Sequence, residues 1–229
     1  AGCAVAPVPE VVHYRMPEAS GLVVRERPAF QMPIIVDTLQ ADGLHGEQSI
    51  LYATRPEGSV KAYHYQRWND PPIRLLQRRL IKRLREENVS PMVADRLPTS
   101  VRSLRVSGII ERFERVKRDD AWYAEVRLEL RVDIGEEGLP AILKSYAASV
   151  PATSESIQAS VRAFAQATDQ AFAAPALASF AMGSQRHSNL PVRTSNPRTT
   201  PEAILARELS SMAEPVMTTS FTTVGVEVT

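Results

Sequence analysis

One stretch in the middle of the chain constrains the fold more than any other. From Ala124 to Asp133 apolar and charged side chains alternate, with Ala124, Val126, Leu128, Leu130 and Val132 on one phase and Glu125, Arg127, Glu129, Arg131 and Asp133 on the other. Successive side chains of a strand point to opposite faces, so this period of two predicts a strand with one buried and one solvated face. Its partner precedes it. Leu104, Val106 and Ile110 begin the same alternation, Phe113 shifts the phase as a bulge would, and Lys117-Arg118-Asp119-Asp120 supplies a polar turn. A third strand, about Ile142 to Val150, is reached through Gly135-Glu136-Glu137-Gly138.

A sheet with one apolar face needs a covering layer, and two helical patterns can supply it. Asp70 is placed to cap a helix that opens with Pro71 and runs to about Glu87, with Ile73, Leu76, Leu80, Ile81 and Leu84 as its core stripe. The opposite side carries Arg74, Arg78, Lys82 and Arg85, long side chains shown to water. A second helix begins at Thr153 or Ser154, places Ile157, Val161, Phe164, Thr168 and Phe172 on one face, and is ended or kinked by Pro175. Upstream, Ile34 to Val36, Ser49 to Ala53 and Val60 to Gln66 read as three further strands. The expected class is therefore α+β: a mostly antiparallel or mixed sheet of about six strands, with two main helices packed on one face.

The ends of the chain have a different composition. Pro7, Pro9, Pro17, Pro28 and Pro33 punctuate the N-terminal stretch, which reads as a tether leading into a first or edge strand. After Met182 the sequence turns rich in Ser, Thr, Asn and Pro, with a short helix expected from Pro201 to Ala213. This divides the chain into a tether over 1–30, a main domain over 31–182 and a tail over 183–229. The only cysteine, Cys3, follows Ala1-Gly2, and small residues before a thiol are how a bacterial lipoprotein signal ends. Cys3 is the expected lipidation site; the plain alternative is a free thiol near the terminus. A covalent lipid there, burying methylenes at about 0.8 kcal/mol each, anchors a protein that has no apolar run long enough to span a bilayer.

Few chemistries fit the remaining residues. His13, His45, His64 and His187 lie in unrelated segments without metal-ligand spacing, and a single thiol cannot complete a zinc site, so no metal is expected. No phosphate-cradling glycine loop or serine elbow occurs. Asp119-Asp120 and Glu136-Glu137 could be proposed as acid/base pairs, but their turn-like settings favour solvated charges. The expectation is a protein that is not an enzyme and needs no cofactor beyond the covalent lipid on Cys3. With 27 basic and 26 acidic side chains the net charge is +1, so no overall field draws the chain to nucleic acid or to an anionic surface.

The segment Ser49-Ile-Leu-Tyr-Ala-Thr-Arg-Pro-Glu-Gly-Ser-Val-Lys-Ala-Tyr-His-Tyr-Gln-Arg-Trp68, followed by Asn-Asp-Pro-Pro and the helix, carries a resemblance. It is similar to the ABC-type transport auxiliary lipoprotein family, the PqiC-like group, at Tyr52, Tyr63, Tyr65, Arg67, Trp68, Pro72 and Leu76. The similarity extends through Arg112-Phe113-Glu114, the alternating strand, Val150-Pro151 and the alanine-rich helix, over about Ile34 to Phe180. The resemblance implies a periplasm-facing lipoprotein of a Gram-negative envelope. Its implied partners are an ABC transporter permease and ATPase and a mammalian-cell-entry (MCE) domain protein, which together move lipids between membranes. Ala4 after Cys3, where aspartate would favour inner-membrane retention under enterobacterial sorting rules, points to the outer membrane.

Trp68 sits where a strand gives way to a helix start, so its indole is expected to pack as a corner of the core. Alternatively Tyr63, Tyr65, Arg67 and Trp68 form a contact surface for a partner or a lipid, since aromatic residues and arginine anchor interfaces. Exposure separates these readings. Two functions follow: an auxiliary that holds a conduit to a membrane through partner proteins or a ring of its own copies, and a stand-alone lipid-binding or envelope-structural lipoprotein. A deep apolar cavity in the monomer would mark the second.

Overall fold

The structure, a computed structural model, describes residues 9–134 and 140–173, with side chains for 9–133 and 142–173. Cys3, Gly135 to Gly138, Pro175, His187 and the expected tail helix lie outside the described residues. The elements run β1 (Val12–Tyr14), β2 (Ile34–Val36), β3 (Gln40–Ala41), β4 (Ser49–Ala53), β5 (Lys61–Trp68), α1 (Pro72–Glu86), β6 (Val93–Ala94), β7 (Leu104–Arg118), β8 (Ala121–Ile134), β9 (Pro140–Pro151) and α2 (Ile157–Ala171). The class is α+β as expected. All six expected strands form, and β1, β3 and β6, each of two or three residues, extend the sheet.

β7 organises the sheet. On one side it pairs antiparallel with β8, which pairs antiparallel with β9. Along its other side it receives β2, β3 and β4 in turn, all parallel, and β5 and β1 continue outward from β4. The expected phase shift is a register break between Ile110 and Arg112, and the Phe113 N–H there is taken by His45 Nδ1 at 3.2 Å. Asp119 and Asp120 both have positive φ, +45° and +63°, the conformation that a two-residue hairpin turn needs. Gly108 is required for closeness rather than conformation: a Cβ there would stand 2.5 Å from the Glu129 carbonyl oxygen.

The inner phase of β8 is buried throughout, and the two helices lie over it with Leu76, Leu80, Leu84, Val161, Phe164 and Phe172 in one core. The outer phase holds a correction. Glu125 was expected in water but is buried, because Arg112 and Arg118 both pair with it and offset the like charge of Glu114 directly across the ladder.

Both helix starts also differ from expectation. Pro71, not Asp70, caps α1, and Pro72 is its first residue. The extended Pro71 holds Asp70 one residue too far out to reach the free N–H groups, and its carboxylate pairs with Arg78 instead. α2 is capped by Ser156, whose hydroxyl accepts from the Ala159 N–H at 3.1 Å, rather than by Thr153 or Ser154. At the other end α1 finishes as expected at Glu87, with Asn88 left-handed and Val89 N–H bonded back to Leu84 O.

The basic face of α1 forms as expected, and two further arginines of the helix lie elsewhere. Arg74, Arg78, Lys82 and Arg85 are exposed, but Arg79 and Arg83 are buried against α2. Arg79 grips Asp169 with two bonds of 2.9 Å, and Arg83 reaches Glu87 at 2.8 Å and the Asp169 carbonyl at 3.1 Å. The proline-rich stretch read as a tether is itself packed here over its described part. Pro17 and Glu18 carbonyls accept from Arg79, Ser20 N–H donates to Asp169 at 2.9 Å, and Phe30 N–H donates to Val89 O at 3.0 Å.

Candidate functional site

The residues singled out on β5 divide between the core and the surface. Trp68 is 1% exposed, its ring 5.4 Å from Phe113 and 5.3 Å from Phe164, so it is a core residue and not part of a contact surface. The strand ends there because Trp68 N–H is taken by the Gln48 carbonyl at 2.7 Å, before the two prolines that open α1. Arg67 and Tyr65 are exposed and Tyr63 is half-buried. Cys3 lies outside the described residues.

Tyr63 and Tyr65 line an open groove of about 540 Å³ along β4 and β5, together with Tyr52, Lys61, Ala62 and His64. Its floor is built across strands. Tyr63 stacks on Tyr52 with ring centres 4.3 Å apart, and Tyr52 meets Trp122 edge-on at 6.4 Å. The parallel register sets Tyr52 beside Arg115 of β7. The Arg115 guanidinium lies 3.8 Å from the centre of the Trp122 ring and 5.9 Å from that of Tyr63. One Nη donates to the Glu155 carbonyl at 2.9 Å, just before α2, while Nε is buried with no hydrogen-bond partner. Burial pushes the Tyr63 phenol up, so it stays neutral, and pushes the Arg115 guanidinium down.

Trp122 and Arg115 escape sequence reasoning. The one available signal is that Arg115 falls on the same phase of β7 as buried Phe113, where a charged side chain is out of place.

The groove offers aromatic faces, phenols, an ammonium and an imidazole, with no acidic side chain among its lining residues. It can hold an apolar or anionic surface but assembles no nucleophile with a base beside it. Asp119 and Asp120 form the β7–β8 turn, with Asp120 fully exposed and paired to Lys117. No group of metal-ligating side chains occurs among the described residues, and no described helix is long and apolar enough to cross a membrane.

Comparisons with known proteins bear on the fold and the family. A crystal structure of a Xanthomonas campestris protein shares the fold, with a TM-score of 0.65, 17% identity, and coverage of 75% of this chain and 96% of that one. A crystal structure of an uncharacterised protein aligns with a TM-score of 0.56 and 14% identity, over 73% of this chain and 97% of the other. No curated protein sequence matches the chain. The family model for the ABC-type transport auxiliary lipoprotein component matches residues 25–174, from the segment that crosses α1 to the end of α2. With both helices and every strand from β2 to β9 inside that match, the chain belongs to the ABC-type transport auxiliary lipoprotein family.

Proposed function

We propose that this protein is a non-catalytic subunit of an ABC-type lipid transport system. It faces the periplasm from a lipid on Cys3, more in keeping with the outer membrane, and works with a permease, an ATPase and an MCE-domain protein. The observation that carries the reading is the family match over residues 25–174. The groove supports it as well, because an auxiliary without turnover acts through surfaces, and this surface is aromatic, preorganised and accessible. In this reading several copies surround the conduit.

The stand-alone lipid-binding alternative draws no support from the core. The apolar gap between α1 and the sheet, lined by Phe30, Leu80, Leu84, Leu104 and Leu130, has a volume of about 20 Å³. That is room for about one water, and an acyl chain does not fit.

The test is affinity capture of the lipidated protein from native membranes, with mass spectrometry of what accompanies it and light scattering of the purified complex. Recovery of a permease, an ATPase and an MCE-domain protein is expected. Recovery of none of the three, from a protein that is acylated, refutes the reading.

A further inference from the structure

We propose that the β1–β5 edge, with its groove, rests directly on a phospholipid surface, its tyrosines in the interfacial zone and Lys61 against lipid phosphate. The proposal builds on the reading of Cys3 as the anchor and adds the face that the anchored domain turns to the membrane.

The edge shows apolar side chains to water among charged ones: Glu10, His13, Lys61, His64 and Arg67 are exposed there. Val11 is 41% exposed, Val12 40% and Tyr65 39%, and all three lie along one border of the sheet. β1 runs parallel to β5 with Val12 opposite Gln66, so Val11 comes level with Tyr65. Val11 and Val12 are consecutive and so point to opposite faces of the strand, which leaves Val11 on the Tyr65 side, next to the aromatic groove.

Position supplies the occupant. Cys3 precedes Val12 by nine residues, which at ~3.3–3.6 Å each reach at most about 30 Å. A bilayer holding a lipid on Cys3 is therefore within reach of this border, and the described chain begins there at Pro9.

The chemistry of the groove suits the interface between acyl chains and headgroups. Tyrosine has an apolar body and a polar tip and collects at that depth. The tyrosines are held in place: Tyr63 stacks on Tyr52, and Tyr52 meets the Trp122 ring that carries Arg115. Lys61 and His64 stand at the groove, whose lining has no acidic side chain, and with Arg67 farther along β5 these cations outnumber the one exposed carboxylate beside β1, Glu10, so the charge there favours anionic headgroups.

The test separates this surface from the anchor. Full-length Cys3→Ser protein, which cannot be acylated at that position, is mixed with vesicles of phosphatidylethanolamine and phosphatidylglycerol at 3:1 and floated through a density gradient. Binding is expected, with Lys61→Glu weakening it about tenfold. Tyr65→Ser is expected to weaken it as well, whereas Leu143→Ser, an exposed apolar residue on the far strand β9, leaves it unchanged. If Cys3→Ser protein stays unbound, or if the Lys61 and Tyr65 variants bind like their parent, the proposal is wrong and the groove serves a protein partner. The anchor is read independently, from the acyl mass on the wild-type protein, so either idea can fail alone.

Discussion

Two regions of this molecule bury arginine, and they neutralise it by different means. Between α1 and α2, Arg79 and Arg83 face Asp169 and Glu87, each carboxylate almost as buried as the guanidinium it meets. Behind the groove, Arg115 is as buried as Arg83, but it meets the ring faces of Trp122 and Tyr63 and a single carbonyl. Matched charges fix geometry, since removing one partner strands the other. Ring faces hold a cation without demanding a rigid carboxylate, and they leave a neutral aromatic surface on their outer side. The first region is a structural seam. The second lies directly behind the exposed tyrosines.

The contrast breaks most sharply at Asp169. Asp169→Ala leaves Arg79 and Arg83 without their shared carboxylate and should cost about 3–5 kcal/mol in urea unfolding. A loss near zero would mean that the seam is wet. Trp122→Ala removes the principal ring under Arg115 and should cost about 2 kcal/mol, with most of that loss absent when Arg115→Met is already in place. Additive losses would show that the stack is incidental.

A third buried charge, Glu114, sharpens the comparison through pH. Burial holds its carboxyl above the usual value of 4.5, with Arg112 pulling the other way. The folded state then binds the proton more tightly than the unfolded chain, so stability falls as pH rises from 4.5 through the raised value. Glu114→Gln should flatten that slope and melt above the wild type at pH 7; parallel profiles would place the carboxylate in water. The smallest effect is expected for Arg115→Met, within about 1 kcal/mol, because an apolar replacement removes the desolvation cost together with the stack. A large loss there would make Arg115 as structural as Arg83.

The sheet was legible where period two survives. Val126, Leu128 and Leu130 are buried as their alternation requires, and the Asp119-Asp120 turn forms where the polar run sits. The helices were legible as stripes, but a stripe does not reveal which arginines find partners. Arg78 and Arg79 are adjacent and chemically identical, and Arg79 is buried only because Asp169, ninety positions later, comes to meet it. The site was half legible for the same reason. Tyr63 and Tyr65 stand out in one segment, whereas Arg115 and Trp122 join them through the parallel pairing of β4 with β7, which no local pattern announces.

The packing of the N-terminal stretch has a mechanical meaning. Any pull arriving from the chain's start enters at β1 and acts along its axis, against a parallel neighbour, so the Val12–Gln66 to Tyr14–Trp68 rungs are loaded together in shear rather than unzipped singly. Tyr14 Oη, bonded to Gln66 Oε1 at 2.6 Å, shares that load. Beyond β1, the next points of resistance are the Pro17 and Glu18 carbonyls on Arg79 and the Ser20 bonds to Asp169. Tension on the leading segment therefore loads the strand that ends in Trp68 first and the joint between the two helices next.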